Sequence, residues 1–199
     1  MKIIELIIDE DDDLNGIEAI SLVESPAIHE DWIALKGNNL KLAELDKEKK
    51  LLIGALLIPN KPIYRKNKDE EYYIYFNRDT VSKASQKFLI QGNQNNTTLE
   101  HQHSLKGLTL VESWLVEDVV HDKSRKYGLE VPLGTWMGAV KVNSDQVWEE
   151  YVKTGLVKGF SIEGYFADKF ETPKEKGLKK DFTEAKKTIK AIKDIFVNG

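Results

Sequence analysis

The chain has 199 residues, 41% of them hydrophobic and 31% charged, with a net charge of -4. That balance describes a globular protein with one sizeable core, and it supplies no global field toward nucleic acid or an anionic membrane. Cysteine is absent, which excludes disulfides, thiolate metal sites and a cysteine nucleophile.

Lys2 to Ile8 is apolar and reads as a first strand, running into the acidic stretch Asp9-Glu10-Asp11-Asp12-Asp13. Five like charges in a row read as a solvated loop before they read as a cation site. The start is too short in its apolar part for a signal peptide, and no run reaches the ~20 residues that span a bilayer. The expectation is an intracellular protein. Ile17 to Val23 reads as a second strand, and residues 27–50, which include His29, as an extended arm without a sustained period.

Leu51 to Ile58 is a nearly continuous apolar run, the pattern of a strand buried on both faces, and Pro59 and Pro62 end it. Ile63 to Arg65 and Tyr72 to Phe76 flank a charged insert. Asp79 is placed to cap a helix that gathers Val81, Ala84, Phe88 and Leu89 on one face. Thr97 to His103, Leu108 to Val116 and Thr135 to Val142 read as strands. Ser144 caps a helix over 145–154, which Gly155 closes in a left-handed conformation. Leu156 to Phe166 is the next strand. Beyond a charged linker, Asp181-x-x-Glu184 opens a last helix with the stripe Phe182, Ala185, Ile189, Ile192 and Phe196. The expected domains are residues 1–50 (strands and arm), 51–167 (a β domain) and 168–199 (linker and amphipathic helix).

Two stretches carry chemistry. In Gly159-Phe160-Ser161-Ile162-Glu163-Gly164-Tyr165-Phe166, strand alternation puts Ser161, Glu163 and Tyr165 on one face and Phe160, Ile162 and Phe166 on the other. In Glu100-His101-Gln102-His103, a strand would project both imidazoles from one face. The histidines could simply coat a solvated face. With Glu112 or Asp118 they could instead hold zinc or iron, although H-x-H is a short signal. Alternatively, one histidine could serve as base for Ser161 while a carboxylate orients it. The stretch around Ser161 is not the G-x-S-x-G elbow, the histidine precedes the serine, and no phosphate-binding glycine loop occurs.

Glu100-His101, Val111-Glu112-Ser113-Trp114, Pro132-Leu133-Gly134-Thr135-Trp136-Met137, Trp148 and Lys158 through Phe166 occur in this order. Together they resemble the XkdF-like phage serine proteases, a branch of the tailed-phage prohead proteases, over roughly residues 51–166. The resemblance implies an α+β, mainly β fold: an antiparallel β-barrel of the herpesvirus assemblin type with surrounding helices. It matches Ser161 to the family serine and His101 to the family histidine. Glu112 falls in a matching motif for the third member, with His103, Asp118 and Glu130 as alternatives. No cofactor and no resident metal are implied. The implied role is maturation endopeptidase, cleaving scaffold and the scaffolding part of the major capsid protein inside the assembling prohead in the host cytoplasm. A homo-oligomer is compatible with it, and neither nucleic acid nor membrane is an expected partner. The alternatives are an inactive protease fold serving as a capsid- or scaffold-associated structural protein, and a metal-binding β-barrel built on His101 and His103.

Overall fold

Twelve strands and few helices build the described part of the chain. A computed structural model describes residues 2–9, 12, 14–26, 33–34, 49–66 and 70–168. The terminal helix expected from residue 181, most of the arm, and His29 lie outside the described residues.

In chain order the strands are β1 (Lys2–Ile7), β2 (Gly16–Val23), β3 (Ile33–Ala34), β4 (Leu51–Leu57), β5 (Ile63–Lys66), β6 (Glu71–Phe76), β7 (Thr97–Leu99), β8 (His103–Leu105), β9 (Leu108–Leu115), β10 (Trp136–Val142), β11 (Gly159–Tyr165) and β12 (Ala167–Asp168). They form three four-stranded sheets ordered β12-β1-β6-β5, β3-β4-β10-β9 and β11-β2-β7-β8. The fold is therefore mainly β. Among the described residues none of the three ladders closes on itself, so the closed barrel expected from the resemblance is not what these hydrogen bonds draw. Nor is the pairing purely antiparallel, because β1 runs parallel to β6 and β2 parallel to β7. Both parallel pairs join a strand from the first 23 residues to one much later in the chain, a pairing that no hairpin can make.

Helix α1 (Arg78–Ile90) begins at Asn77, whose Oδ1 accepts from the Thr80 N–H at 2.8 Å. The cap is thus Asn77 and not Asp79, which lies inside the first turn and pairs with Lys83 at 3.2 Å. Val81, Ala84 and Phe88 recur at helical spacing and are fully buried, whereas Leu89 is on the exposed side. Phe88 meets Trp136 of β10 edge to face, with ring centroids 5.5 Å apart, a geometry that adds to the burial of both rings.

The second helix is shorter than expected. α2 (Asp145–Val147) is capped by Ser144, whose Oγ accepts from the Val147 N–H at 3.2 Å. It then widens into a π-helical turn over Trp148–Val152, in which the Lys153 N–H reaches the Trp148 carbonyl at 2.9 Å. Trp148 is fully buried at the start of this turn. Gly155 follows with φ +71°, the left-handed residue expected there. From it the chain enters β11.

Candidate active site

Ser161 lies in the middle of β11, directly opposite Ser21 of β2. Alternation turns Phe160 into the core, where it is 1% exposed, and carries Ser161 and Glu163 to the opposite face. Burying a phenylalanine contributes about 1.5–3 kcal/mol and fixes the strand's orientation. Across the sheet Ser21 aligns with Thr98 of β7, and Thr98 with Ser104 of β8. Aligned residues share a face. A row of small hydroxyl side chains therefore crosses all four strands beside Ser161.

One step along β11, Glu163 stands opposite Ala19. A methyl group there leaves room above β2, and the Glu163 carboxylate accepts from Thr98 Oγ1 across it. The same oxygen, Oε1, lies 3.1 Å from His101 Nδ1. Thr98 and His101 thus fix Glu163 from the far side of the intervening strand. Gly164 completes the stretch for a steric reason. A Cβ at this position would sit 2.1 Å from the Gly16 carbonyl oxygen, at a bulge where β11 slips register against β2.

His101 is not in a strand. The expected run over residues 97–103 is a tight hairpin of β7 and β8, and Glu100 and His101 occupy its turn with φ +49° and +57°. The Gln102 N–H closes the turn on the Leu99 carbonyl at 3.0 Å. Side chains with a Cβ adopt this left-handed backbone at a cost of about 1–3 kcal/mol each. Three bonds to the region of β2 hold the turn in place. The Glu100 N–H donates to the Leu22 carbonyl at 3.0 Å. The His101 N–H donates to Ser21 Oγ at 3.0 Å, and Glu100 Oε1 accepts from the Glu24 N–H at 2.6 Å. Ser21 is consequently the neighbour of both candidate residues: it faces Ser161 in register and anchors the His101 backbone.

With Nδ1 engaged by a carboxylate, the imidazole carries its proton there when neutral and keeps the Nε2 lone pair free. Ser161 is 9% exposed, while the side chains of His101 and Glu163 are 42% and 29% exposed. No described residue hydrogen-bonds the Ser161 hydroxyl. Beside it a cleft of about 320 Å³ runs along β11, with Leu56, Leu57, Phe76 and Arg65 among the residues facing it. His101 and Glu163 do not line this cleft; Ser161 is the residue it shares with the polar face.

The other residues singled out in the sequence are held elsewhere. Glu112 sits on β9, in a different sheet, with its carboxylate ion-paired to Lys123, whose Nζ lies 5.1 Å over the Trp114 ring. Asp118 accepts from the Val120 and His121 N–H groups and meets His121 Nδ1 at 2.9 Å. These bonds, the His121 side chain first, hold its carboxyl down at about 2. Glu130 pairs with Arg125 at 2.8 Å. His103 is exposed on β8 opposite Leu99, and the turn before it removes the common strand face that a His101–His103 metal site would use. Among the described residues no group of three or more His, Asp or Glu side chains is placed to hold a metal.

The residue that sequence reasoning passed over is Glu163. Its signal was present, since it lies two residues after Ser161 and shares its face. What stayed hidden was the fold of residues 97–103, which brings His101 over that face. Compared with known proteins, the chain matches the family model described as "Putative phage serine protease XkdF" over residues 39–171. No curated protein and no solved structure matches.

Proposed function

The chain belongs to the XkdF family of phage serine proteases, and from that premise we propose that it is a prohead maturation endopeptidase with Ser161 as nucleophile, His101 as base and Glu163 as the carboxylate orienting it. The observation that carries this reading is the 3.1 Å contact between Glu163 Oε1 and His101 Nδ1 on the polar face that also bears Ser161. Glu163 takes the role for which Glu112 was the first sequence candidate, because Glu112 is engaged with Lys123 on another sheet.

In the proposed reaction Ser161 Oγ attacks the peptide carbonyl carbon while its proton passes to His101 Nε2. The imidazolium is stabilised at Nδ1 by Glu163. Collapse of the tetrahedral adduct breaks the C–N bond, and Nε2 returns the proton to the departing amine. Water then repeats the sequence on the acyl-serine ester and regenerates the hydroxyl. The substrates are scaffold and the scaffolding part of the major capsid protein, met inside the assembling prohead. The assemblin-like barrel implied by the resemblance is supported by the approach of β4 to β11, two strands of different ladders that such a barrel would set side by side.

Co-expression with scaffold and capsid protein tests the reading. Wild type should process both, whereas Ser161→Ala should leave them intact with its fold unchanged, because removing the nucleophile forfeits most of the rate enhancement. Equal processing by both forms would remove Ser161 from the mechanism. Absence of processing and of fluorophosphonate labelling in the wild type would favour a structural role.

A further inference from the structure

A carboxylate that orients a histidine must itself be held by something other than that histidine. Glu163 has a flexible side chain, 29% exposed, and holding it in one rotamer costs conformational entropy. Among the described residues two groups contact its carboxylate, and both meet Oε1: His101 Nδ1 and the Thr98 hydroxyl. Of these two, only Thr98 is independent of the imidazole.

Three strands build this contact. Thr98 is half-buried in β7, and its β-branched side chain has restricted rotamer freedom. Ser21 of β2 and Ser104 of β8 flank it in register. Ser21 Oγ is itself engaged, as acceptor of the His101 N–H. Ala19, the residue of β2 opposite Glu163, is small enough to let the glutamate reach across to β7. An ionised carboxylate can only accept, so the Thr98 O–H is the donor in this bond. Oε1 then offers its remaining lone pair to Nδ1–H, which leaves Nε2 unprotonated.

We propose that Thr98 is a positioning residue of this site: its hydroxyl holds Glu163 in the rotamer that keeps the His101 proton on Nδ1 and the Nε2 lone pair free. The catalytic consequence rests on the proteolytic reading above, whereas the effect on the imidazole does not. Thr98 does not line the cleft beside Ser161. Its loss is therefore felt through Glu163 and His101 and not through substrate binding.

Thr98→Val keeps the shape of the side chain and removes the donor, and Thr98→Ser keeps the donor without the methyl group. Thr109→Val is the control, because it removes a β9 hydroxyl that bonds Asn95 Oδ1 at 2.6 Å. Thermal melts show that each full-length variant is folded; should Thr98→Val fail to fold, Thr98→Ala removes the same donor. Nitrogen NMR of the imidazoles, recorded well above the ordinary titration range of histidine, reports the tautomer without any need for turnover. His101 should carry its proton on Nδ1 in wild type, Thr98→Ser and Thr109→Val, and shift toward the Nε2-protonated form in Thr98→Val. The second readout is the rate of Ser161 labelling by a fluorophosphonate over a range of probe concentrations. In Thr98→Val the maximal rate should fall ~10–100-fold, the worth of one hydrogen bond to a charged group. The half-saturating concentration should stay within about twofold of wild type, because no binding contact is lost. Thr98→Ser should recover most of the rate. A wild-type tautomer in Thr98→Val overturns the proposal, even where the wild type cleaves scaffold. So does an unchanged labelling rate in Thr98→Val while the wild type labels, or an equal loss in Thr109→Val. A tautomer that follows Thr98 in a protein that neither labels nor cleaves upholds the positioning of His101 and sinks the protease reading instead.

Discussion

Glu163 and Glu112 are both strand glutamates with a basic partner, yet their surroundings assign them different consequences. Glu163 bonds Thr98 Oγ1 and His101 Nδ1, and its loss frees the imidazole to rotate or to take the wrong tautomer. Glu163→Gln should therefore lower kcat/KM by at least about 100-fold, toward the ~10⁴-fold cost of amidating a triad carboxylate. Glu112 holds an exposed lysine. Such pairs contribute about 0–1 kcal/mol, so Glu112→Gln should keep both activity and melting temperature close to wild type. Steady-state kinetics on the two variants decides the matter, and a reversed pattern would return the third role to Glu112. The pairing of Glu163 with Ser161 on one face was legible from strand alternation alone. Its partner was not, because glutamate and histidine carry no sign that they will adopt left-handed backbone. The turn at Glu100 and His101 lacks the glycine or asparagine that marks such turns.

At the level of elements, β11 depends on the close approach of two backbones. The bulge at Gly164 brings it against Gly16 and Ile17, where an added methyl would lie 2.1 Å from a carbonyl oxygen. Gly164→Ala must push the two strands apart, and overpacking of this kind costs about 1–3 kcal/mol or more. The expected result is a clear drop in melting temperature with a larger loss of activity, since Ser161 and Ser21 lie on the same two strands. An unchanged melt would show that the pair has room to relax. The connection between β9 and β10 has its own sensitivity. Asp118 titrates at about 2 instead of its ordinary 3.8. Its bonds therefore favour the folded loop above the unfolded value and lose that effect as pH falls from near 3.8 through about 2. His121 resonances followed by NMR should shift over that window in wild type and not in Asp118→Asn. The start of α1 was misplaced at Asp79 although Asn77 caps it, whereas the Ser144 cap, the apolar strands and the left-handed Gly155 were readable because each rests on local chemistry. The π-helical turn after Val147 was not, since nothing in Trp148-Glu149-Glu150-Tyr151-Val152 distinguishes it from ordinary helix.

For the whole molecule, the order of strands matters more than their number. β2 stands between β7 and β11, yet it lies outside residues 39–171, the stretch matched by the family model. Deleting residues 2–26 removes the strand that positions Ser161 and supplies the Ser21 anchor of His101. It also removes β1, so that β6, β7, β11 and β12 each lose a partner and present unpaired edges that invite aggregation. Circular dichroism and size-exclusion chromatography should show loss of cooperative unfolding and of soluble monomeric protein. A truncated chain that still melts sharply and cleaves substrate would show that the remaining strands form the site unaided. Sheet connectivity was the least legible level, because parallel pairing of β2 with β7 joins residues more than 70 positions apart and leaves no local trace.

The site-bearing sheet also imposes a schedule. Its strands come from residues 16–23, 97–105 and 159–165, so synthesis delivers the central strand first, the histidine hairpin next and the serine strand last. Long-range pairing of this kind forms slowly and only when both partners are present. Until Tyr165 has cleared the ribosome, His101 has neither its carboxylate nor a nucleophile to activate. If the proposed function holds, the site cannot act before β11 has been delivered to β2. Its activity would then be timed by the emergence of residues 159–165.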